Sequence, residues 1–332
     1  MNDDIFPWHN ALWQPLLNAW QQNRLPHALL LSGPQGMGKA VFAKRLAKLL
    51  LCIQPQPEGK ECGQCKSCHL LQVNNHPDIS WIEPLQEGKQ ITIEQIRNLI
   101  EFCNLTAQYS RYHIALLNPA EAMNRNASNS LLKLLEEPPA RTLLILISHR
   151  PMGLLATIRS RCQRIDFRGI KNIESWLQSQ LSSSFNAQLL LNLTHQAPLA
   201  ALALVKEEKL VQRKQLLDSL TQHLLHQPQE PIGLAEKWST LAEPPQILRW
   251  MLSWTMDIIR CAMTGQGIIN VDYQETLQLL AQKLQIKELF QLLDLQNETY
   301  QIVTGPTHVK PQGLLESIAI MWTDLQQRKR RL

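Results

Sequence analysis

Gly33-Pro34-Gln35-Gly36-Met37-Gly38-Lys39-Ala40 is the stretch that decides the fold. It fits the phosphate-binding pattern G-x-x-x-x-G-K up to its last position. There a nucleotide hydrolase carries Ser or Thr to hold Mg²⁺, and this chain has Ala40. The run His27-Ala28-Leu29-Leu30-Leu31-Ser32 just before it reads as a buried strand, and residues 41–51 read as the helix that follows. Strand, glycine-rich loop and helix in that order predict the scaffold of a nucleotide-binding protein. A part that Mg²⁺-dependent chemistry needs is missing from it.

Working outward, the first half of the chain alternates strand and helix patterns. Residues 28–32, 79–82, 113–117 and 143–148 are short apolar runs of strand length. Residues 11–22, 41–51, 93–103 and 128–136 carry helical periodicity between them. Such alternation implies a parallel sheet flanked by helices. From residue 174 onward only helical periodicity is visible. Ile247, Met251, Trp254 and Ile258 form one face of a helix opened by Pro244-Pro245, and residues 227–231 read as a linker. The fold class is therefore α/β followed by all-α.

Composition narrows the function classes. A hydrophobic fraction of 44% over 332 residues allows two or three globular domains. No apolar run reaches the length of a membrane span, and the acidic opening Met1-Asn2-Asp3-Asp4-Ile5 lacks the apolar core of an export signal, so a cytoplasmic protein is expected. The formal charge of +5 is small and scattered. It permits nucleic acid nearby without requiring it. The dense run Arg328-Lys329-Arg330-Arg331 reads as a solvated helix end.

Seven cysteines without an export signal argue against disulfides. Cys52, Cys62, Cys65 and Cys68 cluster, whereas Cys103, Cys162 and Cys261 read as small buried hydrophobes. The cluster spans a segment with two prolines and two glycines and almost no apolar residues of its own, and four thiolates can surround one tetrahedral Zn²⁺. A structural zinc is the favoured reading. An iron–sulfur cluster, His69 in place of one thiolate, and four unliganded thiols are the alternatives.

A motor also needs an acidic residue at the tip of the strand beside the P-loop strand. Here His113-Ile114-Ala115-Leu116-Leu117 runs into Asn118-Pro119-Ala120-Glu121, with no carboxylate at its tip. Glu121 reads as a surface or helix-capping residue. Two further segments stand out: Leu131-Leu132-Lys133-Leu134-Leu135-Glu136-Glu137-Pro138-Pro139, a helix stopped by two prolines, and Arg159-Ser160-Arg161-Cys162. Arg161 in this position reads either as a salt bridge at the rim of the core or as an arginine finger reaching another subunit's γ-phosphate.

The order and spacing of these segments resemble the delta-prime subunits of the bacterial DNA polymerase III clamp loader. The resemblance rests on Gly33–Ala40, the four cysteines, Asn129-Ser130 running into the Leu131–Pro139 segment, and Ser160-Arg161-Cys162. Trp8 followed by His27-Ala28-Leu29-Leu30 adds to it. It covers roughly residues 5 to 170 by motif and the rest by helical character and length. It implies an AAA+ module over residues 1–168 with a zinc module inserted at about 52–69. A helical lid over 169–208 and a helical collar over 209–332 would follow, assembling a pentameric ring with motor (gamma/tau-type) and delta-type subunits.

Against the motor pattern of that family the chain departs three times: at Ala40, at Asn118-Pro119, and at Leu199, which stands where a motor lid carries a sensor arginine. Ser160-Arg161-Cys162 is intact. The resemblance therefore implies a non-hydrolysing stator whose degenerate loop, with Gly33, Gly36, Gly38 and Lys39, binds nucleotide weakly or not at all. Arg161, flanked by Ser160 and Cys162, would serve a neighbouring ATPase. Such a ring loads the sliding clamp onto primed DNA.

Other readings compete. An ATP-hydrolysing motor of the same architecture and a P-loop kinase both lack their metal ligands here. A stand-alone zinc-dependent nucleic-acid-binding protein would stud its cysteine loop with aromatic residues, and none lies between Cys52 and Cys68. Trp238, Trp250, Trp254 and Trp322, on the amphipathic stripes of the last third, are expected to be buried partly against neighbouring subunits.

Overall fold

The computed structural model describes residues 6–86, 88–169, 171–182, 185–227, 229–265, 269–305 and 309–329. The acidic opening at 1–5 and the basic side chains of 328–331 lie outside the described residues. The chain divides into two compact units. The first is Met1–Ser179 with Gln196–Ala200, and the second is Gln180–His195 with Ala201–Leu332.

In chain order the first unit contains α1 (Asn10–Gln21), β1 (Ala28–Ser32), α2 (Lys39–Leu51), α3 (Lys66–Gln72), β2 (Ile79–Ile82), α4 (Ile93–Asn104) and β3 (His113–Leu117). It continues through α5 (Arg125–Glu136), β4 (Thr142–Ser148), α6 (Ala156–Arg161), β5 (Gln163–Asp166) and α7 (Ile173–Gln180), whose last residue counts with the second unit. The five strands form one all-parallel sheet of order β2-β3-β4-β1-β5. Parallel neighbours need a crossover element between them, which accounts for the helices that alternate with the strands.

The three inner strands are buried at every position, as expected for strands covered on both faces. Alternate residues split between the faces. Leu30, Ala115, Leu117, Leu144 and Leu146 join α4, α5 and α6 in one core cluster through Ile96, Leu99, Leu131, Leu135 and Ile158. Caps fix the helix starts. Thr92 and Gln95 form a reciprocal capping box on α4. Asn124 accepts the Ala127 N–H ahead of α5, and Pro138-Pro139 prevents α5 from continuing.

The strand expected at 143–148 begins one residue earlier, and the other three match their expected limits. Two elements escape the sequence pattern. β5 has a single buried residue, Ile165, because it is an edge strand paired only to β1. α3 is only seven residues long, and its start is set by the Cys65 thiol, which accepts the Cys68 N–H.

The second unit is helical among its described residues. It holds α8 (Ala187–Leu193), most of α9 (Pro198–Lys206), α10 (Lys209–Leu225), α11 (Pro231–Leu241), α12 (Pro244–Thr264), α13 (Gln274–Lys283), α14 (Ile286–Thr304) and α15 (Pro311–Lys329). Pro244 and Pro245 open α12, where the missing N–H groups cost nothing. Ile247, Met251, Trp254 and Ile258 are fully buried in its core.

The four tryptophans correct an expectation. Trp238, Trp254 and Trp322 are 0% exposed and Trp250 7%, all within this chain's own core, so none is left over for a neighbour. Two core cysteines, Cys103 and Cys162, are buried as expected, but Cys261 is only partly buried. Among the described residues no single helix is long and apolar enough to cross a membrane.

Candidate functional site

The P-loop leaves β1 and turns into α2 through two glycines whose backbone no other residue type would fit. Gly38 sits at φ 78° as the N-cap of α2, and a Cβ there would lie 2.8 Å from the Phe6 ring. Gly36, at φ 88°, faces Ala200 so closely that a Cβ would meet its backbone nitrogen at 2.6 Å. The loop is thus closed over by residues of its own chain. Leu199 donates its N–H to the Gly36 carbonyl at 3.0 Å. The Met37 carbonyl accepts from Trp8 Nε1 at 3.0 Å and pairs with His9 Nε2 at 2.9 Å.

Lys39 is turned inward. Its ammonium donates to the carbonyls of Gly33 and Pro34, both at 2.6 Å, and the side chain is buried. Desolvation brings the Lys39 pKa down to about 8, partly offset by the nearby Glu121 carboxylate. Desolvation likewise lowers His9 to about 4, against the opposing pull of the Met37 carbonyl, with Arg45 adding a small repulsion. A neutral His9 then donates Nε2–H to Met37.

Glu121 is not the surface or capping residue the sequence suggested. It is partly buried, and its Oε1 accepts the N–H groups of His149 at 2.8 Å and Arg150 at 3.0 Å, just beyond the tip of β4. Oε2 is shielded from solvent without a hydrogen-bond partner among the described residues. Desolvation and the Lys39 charge hold His149 down to about 4, with Glu121 pulling the other way. Lys39, Glu121 and His149 form one electrostatic group beside the P-loop. Their separation in sequence concealed it, because only the β3–β4 pairing brings 121 and 149 together. Asn118, at the tip of β3, donates instead to the Glu83 carboxylate at 2.9 Å, and β3 is not the neighbour of β1 that the sequence suggested, because β4 pairs between them. Ala40 occupies the second position of α2 with no oxygen to offer.

The four cysteines converge. The thiol sulfurs of Cys52, Cys62, Cys65 and Cys68 lie within 4.8 Å of one another, with Cys62 and Cys68 3.9 Å apart. His69 is exposed and stands outside this group. Backbone N–H groups point at the sulfurs: Cys62 N to Cys52 Sγ at 3.3 Å, Cys65 N to Cys62 Sγ and Cys68 N to Cys65 Sγ at 3.4 Å each. Burial opposes ionisation of Cys65, yet the N–H groups of Cys68 and Ile53 and the neighbouring thiols draw it down to about 6. Such a set can hold a metal ion.

The module is moored to the sheet unit by a buried relay. Ser67 donates to the Leu51 carbonyl at 2.6 Å and pairs with His76 Nε2 at 2.7 Å, while His76 Nδ1 accepts the Asp78 N–H at 3.0 Å. Asp78 in turn accepts the N–H groups of Gln108, Tyr109 and Ser110 and the Ser110 hydroxyl. Burial resists the charge, but these four donors hold the Asp78 carboxyl below its ordinary range.

Arg161 ends α6. It donates to the Thr157 carbonyl at 3.0 Å and to the Glu136 carboxylate at 2.7 Å, with the two ionic side chains 36% and 50% exposed. Ser160 is exposed, its hydroxyl turned back to the Thr157 carbonyl, and Cys162 is buried. The P-loop residues are brought together. The cysteines form a second centre, and Arg161 stands apart from both on an open rim.

An all-parallel sheet of this order, with the P-loop after β1, a cysteine module inserted behind α2 and a helical region following, defines a protein of the AAA+ P-loop class. Residues 8–171 match the family model for DNA polymerase III, delta subunit, and residues 207–324 that for DNA polymerase III, delta subunit, C terminal. The chain is 37% identical to the DNA polymerase III subunit delta' of Pseudomonas aeruginosa over 97% of its own length and 98% of that protein's. With the Escherichia coli delta' subunit the identity is 31%, over 87% of this chain and 86% of the other. Among solved structures, a DNA polymerase III gamma subunit-related protein from Thermotoga maritima aligns at 16% identity and a TM-score of 0.47, covering 94% of this chain and 99% of the other. The chain belongs to the delta' subunit family of DNA polymerase III.

Proposed function

We propose that this chain is a non-hydrolysing subunit of the DNA polymerase III clamp loader, a stator that helps place the sliding clamp on primed DNA. The observation that carries this reading is the state of its P-loop. The lysine that would meet the β- and γ-phosphates of a nucleotide is committed to two carbonyls of its own loop. Ala40 offers no hydroxyl and Asn118 no carboxylate to Mg²⁺, and Leu199 brings a backbone N–H, not a guanidinium, to Gly36. Each loss removes a different part of phosphoryl-transfer chemistry.

Arg161 completes the reading. Its guanidinium is half-exposed and held in a single ion pair that a competing phosphate can replace with two parallel hydrogen bonds. It acts in trans, on ATP held by an adjacent motor subunit of the gamma/tau type. Residues 169–208 serve as lid and 209–332 as the collar that joins motor and delta-type subunits in a pentameric ring in the cytoplasm. The cysteine site holds a structural Zn²⁺. Zn–S bonds of about 2.3 Å give a tetrahedron with S···S edges of about 3.8 Å, and the 3.9 Å between Cys62 and Cys68 fits it. Four protein ligands leave no open position, so the ion's part is to tie down the loop.

ATPase assays of the chain alone and with motor subunits test the proposal. The isolated chain stays silent, and so does Ala40→Thr, because Asn118 still offers no carboxylate at the tip of β3. Motor-like turnover by contaminant-free protein contradicts the stator reading and favours an active motor.

A further inference from the structure

The four cysteine sulfurs share one centre but differ in access. Cys52, which ends α2, is 7% exposed, and Cys68, inside α3, is 3% exposed. Cys62 and Cys65 are only partly buried and stand at the two ends of the turn Cys62-Gly63-Gln64-Cys65, whose Gln64 is exposed. We propose that Cys62 and Cys65 are a peroxide-sensitive dithiol switch, which closes to a disulfide, gives up the metal and unmoors the cysteine loop. Its metal arm rests on the zinc reading given above.

Cys62-x-x-Cys65 has the spacing of a redox-active dithiol. The two sulfurs lie within 4.8 Å of each other, and an S–S bond is about 2.05 Å long. The turn between them has room to close that gap. Gly63 sits at φ 72°, and a Cβ there would meet nothing within 4 Å. Cys62 also lies 3.9 Å from Cys68. Access and restraint, more than distance, decide between the two partners. Cys65 shares the open turn, whereas Cys68 is buried in α3, which Ser67 fastens to the Leu51 carbonyl and to buried His76.

Hydrogen peroxide is the oxidant. One thiolate attacks a peroxide oxygen, the O–O bond breaks, and hydroxide leaves a sulfenic acid behind. The second thiolate attacks that sulfur and displaces another hydroxide. Each hydroxide takes a proton from solvent. Two electrons pass from the two sulfurs to peroxide, one S–S bond forms and two waters result. Cys52 and Cys68 then offer two thiolates where a structural Zn²⁺ takes four ligands. The oxidised sulfurs are also the acceptors of the Cys65 and Cys68 N–H groups. The loop keeps its contacts with α1, Gln21 to the Pro57 carbonyl and Gly59 against Leu17.

Full-length Cys261→Ser protein, which lacks the other partly buried thiol, is treated with an equimolar amount of hydrogen peroxide. Elemental analysis beforehand tests the zinc reading by itself. A chromogenic chelator follows zinc release, peptide mass mapping locates disulfides, and hydrogen exchange reports loosening. Peroxide joins Cys62 to Cys65, frees most of the zinc and speeds exchange over residues 53–65, while β1, β3 and β4 stay protected. Dithiothreitol with added Zn²⁺ reverses all three changes. Protein without metal at the outset refutes the zinc reading, and the mapped disulfide then decides the dithiol assignment alone. Reduced thiols with zinc retained at millimolar peroxide overturn the proposal. So does a first disulfide that contains Cys52 or Cys68.

Discussion

Replacing Arg161 by Ala separates a structural role from a catalytic one, because the structure bounds the first. The Arg161–Glu136 pair is 2.7 Å long, but its side chains are 36% and 50% exposed, so solvent screens it. Such a pair is worth roughly 0.2–1 kcal/mol. In a unit of this size 1 kcal/mol shifts Tm by about 2–4 °C. The hydrogen bond to Thr157 is internal to α6 and adds little. An arginine finger, by contrast, is worth about 10³–10⁵ in rate at the site it serves, or about 4–7 kcal/mol of barrier.

The decisive companion is Glu136→Gln, which breaks the same ion pair and keeps the guanidinium. Melting temperatures of both variants, and DNA-stimulated ATPase and clamp-loading rates of rings reconstituted with motor subunits, are measured side by side. Both variants lose a few degrees at most. Only Arg161→Ala and Arg161→Lys lose loading activity, while Glu136→Gln retains it. Equal activity losses from Arg161→Ala and Glu136→Gln, or an Arg161→Ala ring that loads at the normal rate, refute a trans arginine finger and leave a rim salt bridge.

Other outcomes follow from the same geometry. Freshly purified protein carries one Zn²⁺ per chain by elemental analysis, and Cys65→Ser loses it and raises hydrogen exchange in the cysteine loop while β1, β3 and β4 stay protected. Iron, or no metal, contradicts the zinc reading. His9 ties acid to stability. Its folded pKa of about 4 lies below its ordinary 6.5, so its contribution is complete above pH 6.5 and is lost as pH falls towards 4. The displacement is worth about 3 kcal/mol, and His9→Gln flattens the pH profile of denaturant midpoints over that window. Truncation after Lys206 abolishes co-purification with partner subunits, and undiminished assembly of the truncated chain sinks the collar assignment.

The P-loop unit was legible because its inner strands are buried on both faces. Burial demands unbroken apolar runs, and Leu29–Leu31 and Leu143–Ile147 are such runs, each residue at most 1% exposed. β5 was not legible. With one neighbour and one buried residue, Gln163-Arg164-Ile165-Asp166 carries no periodicity that a loop lacks. The tryptophans show the opposite failure. Their helical stripes were plain, but a stripe does not say whether its own chain or another covers it, and this chain's own helices cover all four.

By itself, the sequence determined the chemistry that is absent and the chemistry that is clustered. Ala40, Asn118 and the spacing of Cys52, Cys62, Cys65 and Cys68 are local facts, set by residue type at fixed short intervals. Only the tertiary structure decided where distant groups meet. Strand pairing carries Glu121 to the N–H groups of His149 and Arg150. Chain reversal seats Leu199 and Ala200 on Gly36, and helix packing stacks Arg45 on Trp13. Those contacts join residues 28 to 164 positions apart. Their energies depend on burial and direction, which no periodicity along the chain encodes.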